Sequence, residues 1–301
     1  MTIAPGIAII APAGRPQDEA VLPRGVRRLQ ERGFVVHDYY RPEAAFQRFG
    51  GTDDGRLGQL EQAIADPDIG LILAMRGQYG LTRLLPQINF EALAASGKIV
   101  VGFSDLTALH MGLMAKTGAI SYAGPMFAGD FCGEHTDELT LGSFFACLAG
   151  PQHVIRESVE GNPVLDVEGP VWGGNLSMMV SLLGTPYFPA IDDGIVFIED
   201  VNEHPYRVER MLLQLLQAGV LGRQRALVIG ELSAYRLSAA DRGYDLAVML
   251  DYLRATLPIP VLTGLRFGHG ASRVTIPFGA PARLVSDGAG FSLTMRDYPT
   301  L

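Results

Sequence analysis

The clearest potential for chemistry in this chain of 301 residues lies in the turn Gly102-Phe103-Ser104-Asp105. An apolar, β-branched run begins at Ile99 and stops at this turn, and a helix-like pattern follows at once. A serine on such a turn is exposed at the carboxyl end of a sheet beside helix N-terminal amides. It can therefore supply a hydroxyl nucleophile and part of an oxyanion site. The alternative is that Ser104 or Asp105 only caps the helix, because both side chains accept amide protons well.

A serine nucleophile also needs a base that takes its proton and a third group that orients the base. Among the six histidines, His269 is flanked by glycines in Phe267-Gly268-His269-Gly270, which allows unusual backbone angles and a close approach of substrate. Glu199 ends an apolar strand and would present a carboxylate at the edge of a sheet, although Asp200 competes for that place. A loop histidine and a strand-end carboxylate can equally be structural, so these two roles stay open at this point.

The other five histidines are predicted to be structural or surface residues: His37, His110, His135, His153 and His204. His110 lies about a turn and a half along the helix that follows Ser104, so its side chain should point away from the hydroxyl. His204 precedes a proline at a helix start and is most easily a residue of the helix cap.

Short apolar strands alternate with amphipathic helices through the first half of the chain. The predicted strands are 7–11, 34–39, 69–75 and 99–103, and the predicted helices are 17–32 and 56–65. This order indicates a parallel sheet covered on both faces, in which ligands bind outside the carboxyl ends of the strands. Ser104 and the loop Arg76-Gly77-Gln78-Tyr79-Gly80, called the 76–80 loop below, both lie at such ends.

The sequence changes from about Gly150, where valine, glycine and proline become frequent and short strand-like pieces appear. Helices are predicted at 178–183 and 205–218, and strands at 194–199, 226–232 and 274–276. We expect two domains, an N-terminal α/β domain at 1–150 and a C-terminal α/β domain at 165–301, joined by a linker at 151–164.

Composition excludes several classes of protein. The chain is 48% hydrophobic and 19% charged, which is typical of a folded protein with a large core. Its net charge of −8, without a basic block interleaved with aromatics, argues against nucleic acid as a partner. No run reaches the roughly 18 apolar residues of a membrane span, and the N-terminus lacks the features of a signal peptide. We expect a cytoplasmic protein that binds neither membrane nor nucleic acid.

No cofactor or metal is predicted. Cys132 and Cys147 have no metal-like spacing, and the sequence contains no His-x-x-x-His pair. The first loop, residues 11–14, lacks the second and third glycines of a dinucleotide-binding fingerprint.

Eight short motifs, in order along nearly the whole chain, resemble those of the LD-carboxypeptidase family. They lie at 10–14, 75–80, 102–108, 124–126, 172–176, 183–186, 199–207 and 268–269. The resemblance implies a serine peptidase in which Ser104 is the nucleophile, Glu199 the orienting acid and His269 the general base. It also implies a Rossmann- or flavodoxin-like parallel-sheet domain followed by a mixed α/β domain of the swivelling β/β/α type, with the site between them.

The family resemblance places the oxyanion donors on backbone amides, those of Asp105 and of Gly77 and Gln78 in the 76–80 loop. Gln78 stands where this loop usually has its second glycine, so the geometry of the loop is open. The α/β-hydrolase elbow has glycine two residues after its serine, whereas Leu106 stands there in this chain. We therefore expect the turn to resemble the α/β-hydrolase elbow but to belong to a different fold.

The implied reaction releases terminal D-alanine from cytoplasmic murein tetrapeptides during peptidoglycan recycling, by cleavage after diaminopimelate or lysine. Arg76 is a candidate for holding the terminal carboxylate, with bracing of the loop as the alternative. Trp172 and Asn175 are candidate cleft residues, although Trp172 could instead belong to the core. The family suggests a homodimer.

Two other functions are weighed against this one. The microcin-immunity branch of the same family cleaves aminoacyl-nucleotide conjugates, but it is longer and carries an aromatic on an added loop. The unbroken run between 185 and 199 argues against that branch. A non-catalytic module that binds murein peptides is the second alternative, and the intact set of Ser104, Glu199 and His269 argues against it.

Overall fold

The computed structural model describes residues 6–301, and thirteen strands and eight α-helices form within them. The strands are β1 (Gly6–Ile10), β2 (Val35–Asp38), β3 (Ile69–Ala74), β4 (Ile99–Gly102), β5 (Ser121–Ala123), β6 (Gln152–Glu157), β7 (Leu165–Asn175), β8 (Ile195–Val201), β9 (Ala226–Ser233), β10 (Val261–Thr263), β11 (Ile276–Phe278), β12 (Pro281–Ser286) and β13 (Phe291–Arg296). The helices are α1 (Leu22–Glu31), α2 (Asp53–Ala65), α3 (Phe90–Ala95), α4 (Thr107–Thr117), α5 (Glu138–Ala149), α6 (Leu176–Ser181), α7 (Pro205–Gln217) and α8 (Leu246–Thr256). Residues 1–5, which belong to the predicted N-terminal domain, lie outside the described residues.

The first sheet has the strand order β11-β5-β4-β3-β1-β2 within the described chain. Strands β1 to β5 are parallel, which confirms the predicted parallel sheet of the first half. Strands β1 and β4 are buried along their whole lengths, as expected where helices cover a parallel sheet. Strand β11 comes from near the C-terminus and pairs antiparallel with β5, so the chain does not divide cleanly into an N-terminal and a C-terminal unit.

The second sheet has the order β10-β9-β8-β7-β12-β13-β6. Strands β7 to β10 are parallel, and β12, β13 and β6 continue the sheet antiparallel from β7. The chain therefore has the expected mixed α/β architecture. The prediction of a linker at 151–164 is wrong for residues 152–157, because β6 pairs with β13 and alternately buries His153, Ile155 and Glu157.

Some helices are capped at their N-terminus by a side chain that accepts a free backbone N–H. Thr52 accepts from the N–H of Gly55 at the start of α2, and Asn175 accepts from the N–H of Met178 at the start of α6. Helix α6 consequently begins two residues earlier than predicted. Helix α1 begins five residues later than predicted, with Pro23 in its first turn. None of the helices in residues 6–301 is long and apolar enough to cross a bilayer.

The two sheets meet beside the turn that follows β4. The hydroxyl of Thr107, in the first turn of α4, accepts the backbone N–H of Asn175 at 3.0 Å. A Cβ on Gly174 would lie only 2.6 Å from the Thr107 hydroxyl oxygen, so only glycine lets the end of β7 come this close. This contact sets the carboxyl ends of β4 and β8 next to each other.

Candidate active site

Ser104 occupies a strained turn between β4 and α4. Its φ is +62°, in the left-handed region that non-glycine residues rarely adopt, and a short 3₁₀ turn at Ser104–Leu106 leads into α4. The fully extended Phe103 precedes it. A residue keeps such a strained conformation only where the surrounding structure holds it in place. Here the conformation places the serine side chain just beyond the carboxyl end of β4.

The structure brings Ser104, His269 and Glu199 together, although they are far apart in the chain. The Nε2 atom of His269 lies 3.1 Å from the Oγ of Ser104, and its Nδ1 lies 2.7 Å from Oε2 of Glu199. Nδ1 donates to the carboxylate, so Nε2 is free to accept the proton of the serine hydroxyl. Glu199 is fully buried on β8, whereas the side chain of His269 is 23% exposed. This is the arrangement that activates a serine.

The charge around His269 favours its protonated form. Burial lowers the pKa of the imidazole, but the hydrogen bond to Glu199 and the negative charges of Glu199, Asp200 and Glu231 outweigh it. The pKa of His269 is therefore raised above 6.5. A base with a raised pKa holds the transferred proton well during attack.

Two glycines in the segment 267–273, called the base loop below, are needed for its contacts with Glu231. Gly268 has a φ of +149°, and a Cβ on it would lie 2.8 Å from the Cβ of Glu231. The N–H of Gly270 donates to the Glu231 carboxylate, and any side chain at Gly270 would overlap that carboxylate. Glu231 thus anchors the base loop. Sequence reasoning missed it, although its place near the end of an apolar strand resembles that of Glu199.

Arg273 holds the base loop from the other side. Its guanidinium donates to the carbonyl oxygens of Gly268 and Gly270, both at 3.1 Å, and pairs with Asp130. It also stacks on the ring of Phe103 at 4.4 Å, next to the nucleophile. Burial lowers the pKa of Arg273 to about 10, so the group stays charged at neutral pH. The sequence analysis did not single out this residue.

The 76–80 loop passes directly in front of the nucleophile. A Cβ on Gly77 would lie 3.0 Å from the Oγ of Ser104 and 3.5 Å from the backbone nitrogen of Asp105. The backbone of Gly77 therefore packs directly against Ser104, and a side chain at this position would press on the serine. Gln78 has a φ of +67°, so it adopts the left-handed conformation that favours glycine.

The side chain of Asp105 ties the nucleophile turn to the 76–80 loop. Its Oδ2 accepts the N–H of Leu81 at 2.8 Å, and burial raises the pKa of the carboxyl to about 7. Arg56, also buried, donates to the carbonyl of Gly80 at 3.0 Å. The end of the loop is therefore held through both its N–H and its C=O groups.

Two candidate cleft residues have other roles in the structure. Trp172 is fully buried in the core and its Nε1 donates to Gln224 at 3.1 Å, so the prediction that it lines the cleft is wrong. Asn175 is only 4% exposed, and its amide donates to Glu199 and Asp200, both at 3.1 Å. It therefore orients the acid of the site; its burial contradicts the prediction of a substrate contact.

The remaining histidines do not join the site. His110 is buried between the hydroxyl of Ser121 at 2.8 Å and the carbonyl of Gly102 at 2.9 Å, and burial lowers its pKa to about 4. His204 caps α7, as predicted. His37 and His153 lie in strands, and His135 is exposed.

Two family profiles match most of this chain. The profile of the LD-carboxypeptidase N-terminal domain matches residues 7–124, and that of the LD-carboxypeptidase C-terminal domain matches residues 168–284. The crystal structure of muramoyltetrapeptide carboxypeptidase from Oxalobacter formigenes is 45% identical and superposes with a TM-score of 0.94, covering 98% of this chain and 100% of that one.

Two curated relatives carry different functional names. The murein tetrapeptide carboxypeptidase of Pseudomonas aeruginosa is 31% identical over 92% of each chain. The microcin C7 self-immunity protein MccF of Escherichia coli is 30% identical over 90% of this chain and 87% of its own. The chain belongs to the LD-carboxypeptidase family and is a serine-type carboxypeptidase.

Proposed function

We propose that this protein removes terminal D-alanine from murein tetrapeptides by means of a triad of Ser104, His269 and Glu199. The observation that carries the proposal is the continuous hydrogen-bond chain from the serine hydroxyl through the imidazole to a buried carboxylate. The names of the relatives from Oxalobacter formigenes and Pseudomonas aeruginosa support a murein peptide as substrate.

The reaction proceeds through an acyl-enzyme. Ser104 attacks the carbonyl carbon of the scissile amide while His269 takes the hydroxyl proton. The oxyanion of the tetrahedral intermediate accepts hydrogen bonds from the amides of Asp105 and of Gly77 and Gln78. His269 then gives its proton to the leaving amine of D-alanine, and a water activated by the same base releases the shortened peptide.

The cellular setting belongs to the same proposal. The enzyme trims tetrapeptides to tripeptides in the cytoplasm, as part of peptidoglycan recycling, and it works as a homodimer. The amide to be cut joins an L-configured centre to a D-residue, so stereochemistry at both sides should govern turnover.

The similarity to MccF keeps an aminoacyl-nucleotide conjugate as the second candidate substrate. The segment between α6 and β8 is short, running only from 182 to 194, which favours the murein peptide because no added loop is present there to hold a nucleobase. A solely peptide-binding role is less favoured, since all three groups of the triad stand within hydrogen-bond reach.

The deciding experiment incubates the purified protein with murein tetrapeptide and measures free D-alanine by mass spectrometry. We expect release by the native protein, and a rate lower by about 10⁴-fold or more for Ser104→Ala. Ser181→Ala, an exposed serine on α6, is the matched control and should keep full activity. The L,L-isomer of the peptide and an aminoacyl sulfamoyl adenosine are assayed separately as alternative substrates. Absence of release, or undiminished release by Ser104→Ala, would refute the proposal.

A further inference from the structure

Arg76 lies close to the nucleophile but takes no part in the triad. It directly follows β3 and precedes Gly77, whose backbone lies against the side chain of Ser104. An arginine side chain extends up to about 7 Å from its Cα, by ordinary bond lengths. A group bound to the Arg76 guanidinium can therefore belong to the same peptide whose carbonyl group reacts at Ser104.

The guanidinium of Arg76 has no acidic partner within the described chain. None of the ion pairs formed by residues 6–301 includes Arg76 or the nearby Arg48. The hydrogen bond of Arg76 is to a neutral group, the carbonyl of Arg15, at 3.4 Å. Burial and the positive charge of Arg48 both lower its pKa. Two like charges held near one another, one of them half-buried, are unfavourable unless an anion joins them.

Arg76 also lines a cavity of about 290 Å³. One wall is the turn before α1, with Gln17, Asp18 and Val21, and another is the segment of Met126, Ala128 and Gly129. Asp18 lines the same cavity and its Oδ1 accepts the N–H of Ala20 at 2.9 Å, but none of the ion pairs in the described chain joins it to Arg76. The cavity has room for the end of an amino-acid residue, with the guanidinium as its cationic group.

We infer that Arg76, supported by the charge of Arg48, is the subsite for a carboxylate of the substrate. The inference rests on the proposed function and adds to it the chemistry that the cavity recognises. The two residues that flank the scissile bond each offer such a carboxylate: the terminal D-alanine and, through its second carboxyl group, diaminopimelate. A planar guanidinium binds either one through two parallel hydrogen bonds.

The test crosses enzyme variants with three substrates. The substrates are the tetrapeptide with diaminopimelate, the same peptide ending in D-alaninamide, and the same peptide with lysine in place of diaminopimelate. The variants are Arg76→Gln, Arg76→Lys and Arg48→Gln, and the control is Arg27→Gln, an exposed arginine on α1. For each pair, kcat/KM for release of the terminal residue is measured.

For the unmodified tetrapeptide we expect Arg76→Gln to lower kcat/KM by about 10- to 100-fold, the usual effect of losing a charge-assisted pair. Arg76→Lys should lower kcat/KM less than Arg76→Gln does. Arg48→Gln should lower it only a few-fold, and Arg27→Gln should leave it unchanged. If the penalty of Arg76→Gln vanishes for the D-alaninamide peptide, the subsite holds the terminal carboxylate. If it vanishes for the lysine peptide, the subsite holds the carboxylate of diaminopimelate.

The inference is overturned if Arg76→Gln lowers kcat/KM equally for all three peptides, which would indicate bracing of the loop, or if it lowers none of them. The proposed function is judged separately, from the native enzyme. Failure of the native enzyme to release D-alanine would contradict the function itself, whatever the variants do.

Discussion

Gly77 lets the 76–80 loop pack directly against Ser104. The place where a Cβ would stand is 2.9 Å from the Cβ of Ser104 and 3.0 Å from its Oγ. The positive φ values of Ser104 and Gln78 bring the two backbone segments this close together. Single residues thus shape the site through the atoms they lack and the conformations they tolerate, as well as through their functional groups.

We expect Gly77→Ala to lower kcat by at least 10²-fold and to lower the unfolding free energy by about 1–3 kcal/mol, because its methyl group would press on Ser104 and displace the hydroxyl from His269. Gly142→Ala is the control, since a Cβ on this helical glycine meets nothing within 4 Å. Steady-state kinetics and thermal unfolding check both variants. Full activity of Gly77→Ala would show that the close approach of Gly77 to Ser104 does not matter for the reaction.

The fall of kcat/KM at low pH should reflect the protonation of His269. Only the neutral imidazole can accept the serine proton, and the pKa of His269 is raised because the hydrogen bond and charge of Glu199, with Asp200 and Glu231, outweigh its burial. Activity should therefore rise with pH, with a midpoint of kcat/KM above 6.5. Glu231→Gln removes one negative charge but keeps an acceptor for Gly270, so it should lower the midpoint.

The control for that profile is Glu160→Gln, an exposed glutamate that should leave the midpoint unchanged. A native midpoint below 6.5, or one that Glu231→Gln does not move, would show that the acidic groups do not set the pKa of the base.

At the scale of elements, the site is assembled from strand ends and the loops that follow them. Ser104 follows β4, Glu199 lies near the end of β8, and His269 lies in the base loop before β11. The base loop has no regular secondary structure, so its shape depends on side chains that bond to its backbone. Arg273 is the main one, since it holds two carbonyl groups of the loop and also contacts Phe103.

We expect Arg273→Ala to lower kcat by about 10²-fold with KM changed less than about threefold, because His269 would lose its fixed position but the substrate pocket would remain. Added guanidinium ion should restore part of the lost kcat by filling the vacated space. Arg266→Ala is the control: this exposed arginine of the neighbouring segment pairs with Glu157 and has no contact with the triad.

Stability must be separated from positioning in that experiment. Removal of Arg273 leaves Asp130 buried without its partner, which is expected to cost about 3–5 kcal/mol. Arg273→Ala combined with Asp130→Asn should recover much of this stability without recovering kcat. Recovery of kcat along with stability would mean that Arg273 acts only on folding.

At the scale of the whole molecule, the proposed triad spans two sheets, and the relative placement of these sheets decides whether the three side chains meet. The contact of Gly174 and Asn175 with Thr107 joins the end of β7 to the start of α4. Strand β11 adds a second connection, because it belongs to the first sheet while β12, three residues later, belongs to the second. The two halves of the site are thus held by the same chain segments that close the fold.

Gly174→Ala should weaken this connection. Its φ of +132° disfavours alanine, and the added Cβ would press on Thr107, which is buried and cannot turn away without losing its bond to Asn175. We expect the unfolding free energy to fall by about 2–4 kcal/mol and kcat/KM by at least tenfold. Denaturant unfolding and kinetics measure the two effects.

Gly243→Ala is the matched control, because Gly243 has a φ of +93° in a turn where a Cβ meets nothing within 4 Å. Alanine at this position has an unfavourable backbone conformation but no steric overlap. We therefore expect the unfolding free energy of Gly243→Ala to fall by about 1 kcal/mol and its activity to be unchanged. Equal effects of the two substitutions would show that the close approach at Thr107 does not matter.

Much of the fold was predictable because burial leaves a periodic pattern in the sequence. Strands β1, β3 and β4 and helix α7 appear within about two residues of their predicted ends. Strand β11 begins two residues later than predicted, and the linker prediction missed β6; both strands lie at a sheet edge and pair with residues more than a hundred positions away. Local pattern carries no record of such pairing.

The sequence by itself determined the parallel sheet of the first half, the family and the choice of Ser104, Glu199 and His269 as the residues to test. Only the tertiary structure decided that Trp172 belongs to the core, that Asn175 holds the acid, and that Glu231 and Arg273 hold the base loop. The physical reason is distance along the chain. Ser104 and His269 are 165 residues apart and meet through the packing of two sheets, and no spacing within either segment specifies that packing.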